Sequence, residues 1–224
     1  MTIEKGESWG EPVGVATGFP VVSSDHELAR LAAESVAAGE QLTARLNSGD
    51  LAATLGFADS TITDSTVGDS TVGEGPTGEG ERLAFPIDLG MATLDGAPAV
   101  PFVAHLTVRR LPALAAALGH GPGIEVSVMN AALLGPFRLG PRAHPNDGLI
   151  DVTEGAVPFR HRWEAAKRAR SGSHLPHPDL RHRRLKTWQG DFPRPVSVWL
   201  DGVAHGRART IHVDLIEDAL RVLG

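Results

Sequence analysis

An α+β architecture, predominantly antiparallel β, is predicted by three features of this 224-residue sequence. Asp-Gly pairs at Asp95-Gly96, Asp147-Gly148 and Asp201-Gly202 sit between alternating apolar and polar runs, a strong short-range hairpin signal. One stretch, Ser23 to Gly39, carries helical periodicity between a start and a stop signal. From Leu83 onward the period is mostly two rather than 3.6, with helical spacing returning only near Val157 to Gly172.

The helix over Ser23 to Gly39 is the clearest element. Ser24 and Glu27 form an S-x-x-E capping box, Leu28, Leu31, Ala32 and Val36 recur on one face, and Gly39 can end it. A second, short helix is expected over Gly49 to Gly56. Asp59 to Glu81 then repeats Asp-Ser-Thr at positions 59, 64 and 69. Its large apolar groups are too few to offset the entropy of ordering it, so a flexible surface excursion is expected. Two strands joined near Asp95-Gly96 follow, then a strand within Gly123 to Leu134. "GLIDVTEGA" and "VSVWLDGVAHGRARTIHVDLI" continue the β pattern, and Val157 to Gly172 reads as a helix with a basic face.

Composition narrows the function. With no cysteine, disulfides and thiolate metal sites are excluded, and a cytoplasmic protein is expected. No signal-peptide core follows Lys5, and no apolar window is long enough for a spanning helix. The net charge of −6 is unevenly spread. Residues 1 to 137 hold 6 Lys/Arg against 17 Asp/Glu, and residues 138 to 224 hold 15 against 10. A basic second half suggests an anionic partner for it, while the acidic whole argues against a nucleic-acid binder.

The basic residues concentrate at Arg160, Arg162, Lys167, Arg168, Arg170, Arg181, Arg183, Arg184 and Lys186. Arg outnumbers Lys there, and its planar fork suits phosphate and carboxylate groups. An anionic lipid headgroup or a phosphorylated small molecule is the expected ligand, with either a solvated Arg-rich face or peripheral contact with the inner membrane surface as the setting. Asn130, after the strand residues "EVSVM", can cap a turn or line a cleft. Asp147 lies in Asn146-Asp147-Gly148, whose side-chain acceptors and glycine fit a tight turn. Asp201 is equally a tight-turn residue or a carboxylate available for chemistry. His174, His177 and His182 have spacings that match no standard zinc pattern.

Three segments together resemble the bacterial diacylglycerol kinase family, which includes YegS-like lipid kinases. They are "MNAALLGPFRLGPRAHPNDGLIDV", "SGSHLPHPDLRHRRLKTW" and "VWLDGVAHGRARTIHVDLIEDALRVL". They carry Asn130, then Pro141, Ala143, Asp147, Gly148, Leu149 and Asp151, then Gly172, His174 and Pro178, then Asp201 and Gly202, and finally Ala219, Leu220 and Val222, in the family's order. The resemblance covers roughly residues 85 to 224. It implies a β-sandwich-like C-terminal lipid-kinase domain over 83–224, a flexible excursion over 58–82, and a shortened α/β remnant of a nucleotide-binding domain over 1–57.

The same resemblance implies ATP and Mg2+ as cofactors and transfer of phosphate to a lipid hydroxyl. Asp201 would be the base, Asp147 and Asp151 the magnesium ligands, and Gly49, Asp50 and Asn130 the cofactor contacts. Two departures stand against it. Leu51 and Ala52 occupy the positions where the family's "GGDGT" loop has Gly and Thr, and Val203 replaces the Glu after Asp-Gly. The alternative is a non-catalytic binding module for an anionic lipid or phosphorylated metabolite, or a chain that works with a partner supplying the nucleotide domain.

Overall fold

The computed structural model describes residues 9–14, 18–57, 81–109, 123–158 and 161–223. The first helix, α1, runs from Asp25 to Ala37. Its start keeps the forward half of the expected capping box, with Ser24 accepting the Glu27 N–H, while the Glu27 carboxylate reaches back one residue further, to the Ser23 N–H. Gly39, at φ 76°, turns the chain away at the other end. A short helix, α2, follows at Asp50–Leu55 and stops on left-handed Gly56. The Asp-Ser-Thr repeats lie outside the described residues, and strand pairing resumes at Glu81.

Eleven strands are described: β1 (Glu11–Gly14), β2 (Val21–Val22), β3 (Leu42–Leu46), β4 (Glu81–Leu94), β5 (Val100–Phe102), β6 (His105–Arg109), β7 (Ile124–Met129), β8 (Ile150–Gly155), β9 (Leu180–Leu185), β10 (Trp188–Leu200) and β11 (Val203–Leu223). A third helix, α3, spans Arg162–Arg170 between β8 and β9. The strands form one hydrogen-bonded sheet, ordered β1-β4-β11-β10-β6-β7-β8-β9, with β5 beside β4. Most pairs are antiparallel; β3 alone runs parallel to both β2 and the end of β11. The hairpins at Asp95-Gly96 and Asp201-Gly202 have both central residues at positive φ, the primed geometry that matches strand twist. Asp147-Gly148 is instead a turn in the loop before β8, which pairs with β7 and β9 and not with a strand just ahead of that turn.

Two apolar cores follow from this topology. One packs α1, α2 and β3 against β4 and β11 through Leu28, Leu51, Ile87, Leu89 and Leu220. The other is built by strands alone, from Phe102, Leu106, Val128, Ile150, Leu200 and Ile211. With no described helix in this second core, the strands bury that face against one another, which gives the sandwich-like character. Phe102 lies against Gly90 so closely that a Cβ there would overlap its ring.

The residue pattern located no individual strand before residue 57, where the resemblance implied an α/β remnant; β1, β2 and β3 lie there and all join the sheet. β3 is only five residues long and its partner in β11 begins at Leu220, so no local signal reveals the pairing. The expected strand through "VPFVAHLTV" is also broken, at Val103 and Ala104, between β5 and β6. No helix among the described residues is long and apolar enough to cross a membrane.

Candidate functional site

The break at Val103–Ala104 is where the candidate residues converge. Free of the ladder there, the backbone needs other partners, since an unpaired buried N–H costs about 1–3 kcal/mol. Asp201 provides them from the β10–β11 turn. Its carboxylate accepts the N–H groups of Val103, Ala104 and His105, each at 2.9 Å. Asn130, at the end of β7, serves the other side of the same segment. Its side-chain amide donates to the carbonyls of Val103 at 2.8 Å and Asp88 at 2.9 Å, and its own N–H donates to the Ala104 carbonyl.

His105 extends the cluster. Its Nε2 lies 2.7 Å from Asp50 Oδ2, while Asp50 Oδ1 accepts the Gly135 N–H at 2.7 Å. Asp25, buried at the start of α1, then accepts the N–H of Asp50 at 2.6 Å and that of Leu51 at 3.3 Å. The glycine at position 49 is required here: its φ is 120°, and any Cβ would overlap the Asp25 carboxylate. Three carboxylates and one imidazole, drawn from α1, α2, β6 and the β10–β11 turn, therefore form one network.

Burial sets the electrostatics. The Asp25 carboxyl is pushed up to about 7 by desolvation first and by the charges of Asp201 and Asp50 next, against the two N–H bonds that oppose the rise. Asp201 as a residue is half-buried at its turn, but its carboxylate faces inward and desolvation raises it too. At His105 desolvation disfavours the cation, yet the bond to Asp50 and the charges of Asp201, Asp50 and Asp25 together raise it above its ordinary value.

Asp147 and Asp151 lie elsewhere, before and on β8, and both face Arg184 of β9. The guanidinium pairs with Asp147 and donates from Nε to Asp151 Oδ1 at 3.1 Å. Asp151 also accepts the Arg142 N–H, and Asp147 accepts the Leu149 N–H in a side-chain turn. Arg184 thus places a guanidinium against both carboxylates. Arg184→Gln is expected to lower stability by about 1–3 kcal/mol, the usual cost of leaving buried polar groups unpaired. Chemical unfolding measures it, and added Mg2+ should leave the unaltered chain's midpoint unchanged. A midpoint raised by Mg2+ would place a metal ion at these carboxylates.

The Arg residues divide into paired and unpaired sets. Arg183 pairs with Glu154 at 2.5 Å, and Arg168 pairs with Glu164 one turn earlier on α3 at 2.6 Å. Arg170, Arg181 and Arg138 are exposed and have no carboxylate partner among the described residues. Arg162 begins α3, and Arg160 lies outside the described residues. His174 is buried in the loop before β9, and among the described residues no group of three His, Asp or Glu could hold a metal ion.

Sequence reasoning missed Asp25, His105 and Asp88. Asp25 reads as an ordinary first-turn acid and His105 as a strand residue; only the long-range pairing reveals their work. Asp88 repeats the same device, accepting the N–H groups of Gly148 and Asp218, each at 2.9 Å. So does Asp95, which accepts those of Arg209 and Thr210. In this chain a carboxylate repeatedly stands in for a missing backbone acceptor.

Neither a known protein family nor a curated protein matches the chain by sequence. Solved structures do match. A "putative diacylglycerol kinase" from Bacillus anthracis str. Sterne superposes with a TM-score of 0.53 at 13% identity, over 82% of this chain and 69% of the other. A second structure from the same organism, again described as "a putative diacylglycerol kinase", reaches a TM-score of 0.49 at 13% identity over the same shares. At this identity the likeness is one of architecture: the chain has a diacylglycerol-kinase-like, sheet-rich α+β fold.

Proposed function

We propose that this chain is a lipid-kinase-fold binding module for an anionic lipid or phosphorylated small molecule, whose acidic cluster serves the fold rather than phosphoryl transfer. The observation that carries the reading is the state of Asp201. A general base must lie within hydrogen-bond reach of the proton it takes. Both oxygens of Asp201 are instead spent on three N–H groups of its own chain.

The nucleotide and metal positions agree with this. A phosphate loop works by offering backbone N–H groups to an anion. The N–H groups of Asp50 and Leu51 are already given to Asp25, so as arranged these residues do not fit a nucleotide phosphate. Nor do Asp147 and Asp151, already paired to Arg184, fit a divalent cation as arranged. What stays available is positive charge: Lys167, Arg170, Arg138 and Arg181 face solvent.

A second reading is favoured by the fold likeness. In it the chain transfers phosphate from ATP to a lipid hydroxyl, alone or with a partner chain that supplies the nucleotide domain, and Asp201 leaves its backbone partners to act as base. Two assays on the full chain separate the readings. Calorimetric titration with short-chain, monomeric phosphatidic acid is expected to show the same affinity with and without Mg-ATP. Incubation with labelled ATP, Mg2+ and diacylglycerol is expected to leave the lipid unlabelled. Label transfer that disappears in Asp201→Asn would establish the second reading, and no heat with phosphatidic acid would sink the first.

A further inference from the structure

The helix α3 is exposed in a way that a packed element is not. Over Trp163 to Arg170 only Ala169 is buried, and Ala165 and Ala166 are half-buried. Trp163 is 77% exposed, whereas Trp188 is 3% exposed in the strand core. An indole carries a large apolar area, and leaving it in water forgoes the stabilisation that its burial brings. Trp163, Lys167 and Arg170 fall at i, i+4 and i+7, so they share one face directed away from Ala169. The Lys167 ammonium lies 6.0 Å from the Trp163 ring.

Further positive charge adjoins the end of α3. The Arg138 N–H donates to the Ala169 carbonyl at 2.8 Å, and its side-chain stem lies against Gly172 just past the helix. Arg138, Lys167 and Arg170 are all exposed with no carboxylate partner among the described residues. Glu164, the one acid on α3, is taken by Arg168. An exposed indole with Lys167 and Arg170 on its own face of a short helix, and Arg138 beyond the helix end, is the chemistry of an interfacial element. The ring sits at the boundary of headgroups and acyl chains, and the cations meet anionic headgroups.

We propose that α3 docks this chain on an anionic membrane surface, with Trp163 inserted at the headgroup boundary and Lys167, Arg170 and Arg138 against the headgroups. This deepens the anionic-lipid reading above by naming the surface through which a bilayer is met. The commitment is to a bilayer rather than a free phosphate, because a free phosphate has no use for an exposed indole.

The test uses the full chain and vesicles of phosphatidylcholine, alone or mixed with phosphatidylglycerol. Co-sedimentation is expected to be at least about tenfold stronger on the mixed vesicles. The double variant Lys167→Glu/Arg170→Glu is expected to lose about tenfold or more, since each basic residue near an anionic surface contributes a factor of about five. Brominated acyl chains are expected to quench tryptophan fluorescence in the unaltered chain and to leave it unquenched in Trp163→Phe, which keeps an aromatic ring and the fold. Equal binding to both vesicle types, or quenching that persists in Trp163→Phe, overturns the proposal. A chain that binds short-chain phosphatidic acid but not vesicles refutes the docking helix alone. A chain that binds mixed vesicles through Trp163 but not the short-chain lipid refutes only the ligand-binding module.

Discussion

Asp201→Ala is expected to destabilise the chain by on the order of 4 kcal/mol, about what three backbone N–H groups cost when they lose their acceptor in a buried setting. The substitution strips Val103, Ala104 and His105 together. It also places a Cβ residue without a polar side chain at φ 46°, where Asp and Asn are tolerated best. Asp201→Asn is expected to lose less. It keeps the turn and one acceptor oxygen, but its amide NH2 faces the N–H groups that the second oxygen served. Urea unfolding followed by far-UV circular dichroism checks both, and the order Asp, Asn, Ala in falling stability is the expected result. Equal stability for all three would mean that the segment at Val103–His105 does not depend on this carboxylate.

Asp25→Asn is expected to flatten the dependence of stability on pH. The folded-state carboxyl of Asp25 is pushed up from 3.8 to about 7 by its burial. Between those values the folded chain holds a proton that the unfolded chain has released. Stability from this group is therefore present at low pH and lost as pH rises from about 4 to about 7, at roughly 1.4 kcal/mol per unit. Acting alone it would remove on the order of 4 kcal/mol across that window. His105 works in the same sense, because its value is raised and its contribution is lost as pH climbs through it. His144 and His174, lowered by burial, work in the opposite sense. The decisive quantity is thus the difference between the unaltered chain and Asp25→Asn at pH 5 and pH 8. The unaltered chain should lose more between the two, and an identical loss in both would show that Asp25 does not titrate in this range.

What could be read from the sequence was local. The Ser24 cap on the Glu27 N–H, the stop at Gly39 and the turns at Asp95-Gly96 and Asp201-Gly202 each depend on neighbours within four residues, and the structure has all of them. The antiparallel α+β class followed from the period of two after Leu83. What was hidden depends on register. Arg183 and Glu154, and Arg184 with Asp151, become neighbours only because β8 pairs with β9. A basic run in sequence thus became partly a set of internal ion pairs. Asp50, Asn130 and Asp201 were each singled out, but what unites them is the three-residue stretch Val103 to His105, which carried no motif. The break in pairing at Val103 leaves no mark in composition, because Val and Ala there look like any strand.

Asp201 either holds the chain together or acts on a substrate. Removing a residue that serves the fold lowers stability, whereas removing a catalytic carboxylate commonly leaves stability unchanged or raises it. The most direct measurement is Asp201→Asn studied twice, by urea unfolding and by calorimetric titration with short-chain phosphatidic acid. The prediction is a clear loss of stability, with lipid affinity retained at temperatures where the variant is folded. Unchanged or increased stability, accompanied by loss of lipid binding or of phosphate transfer, would contradict it and return Asp201 to a functional role.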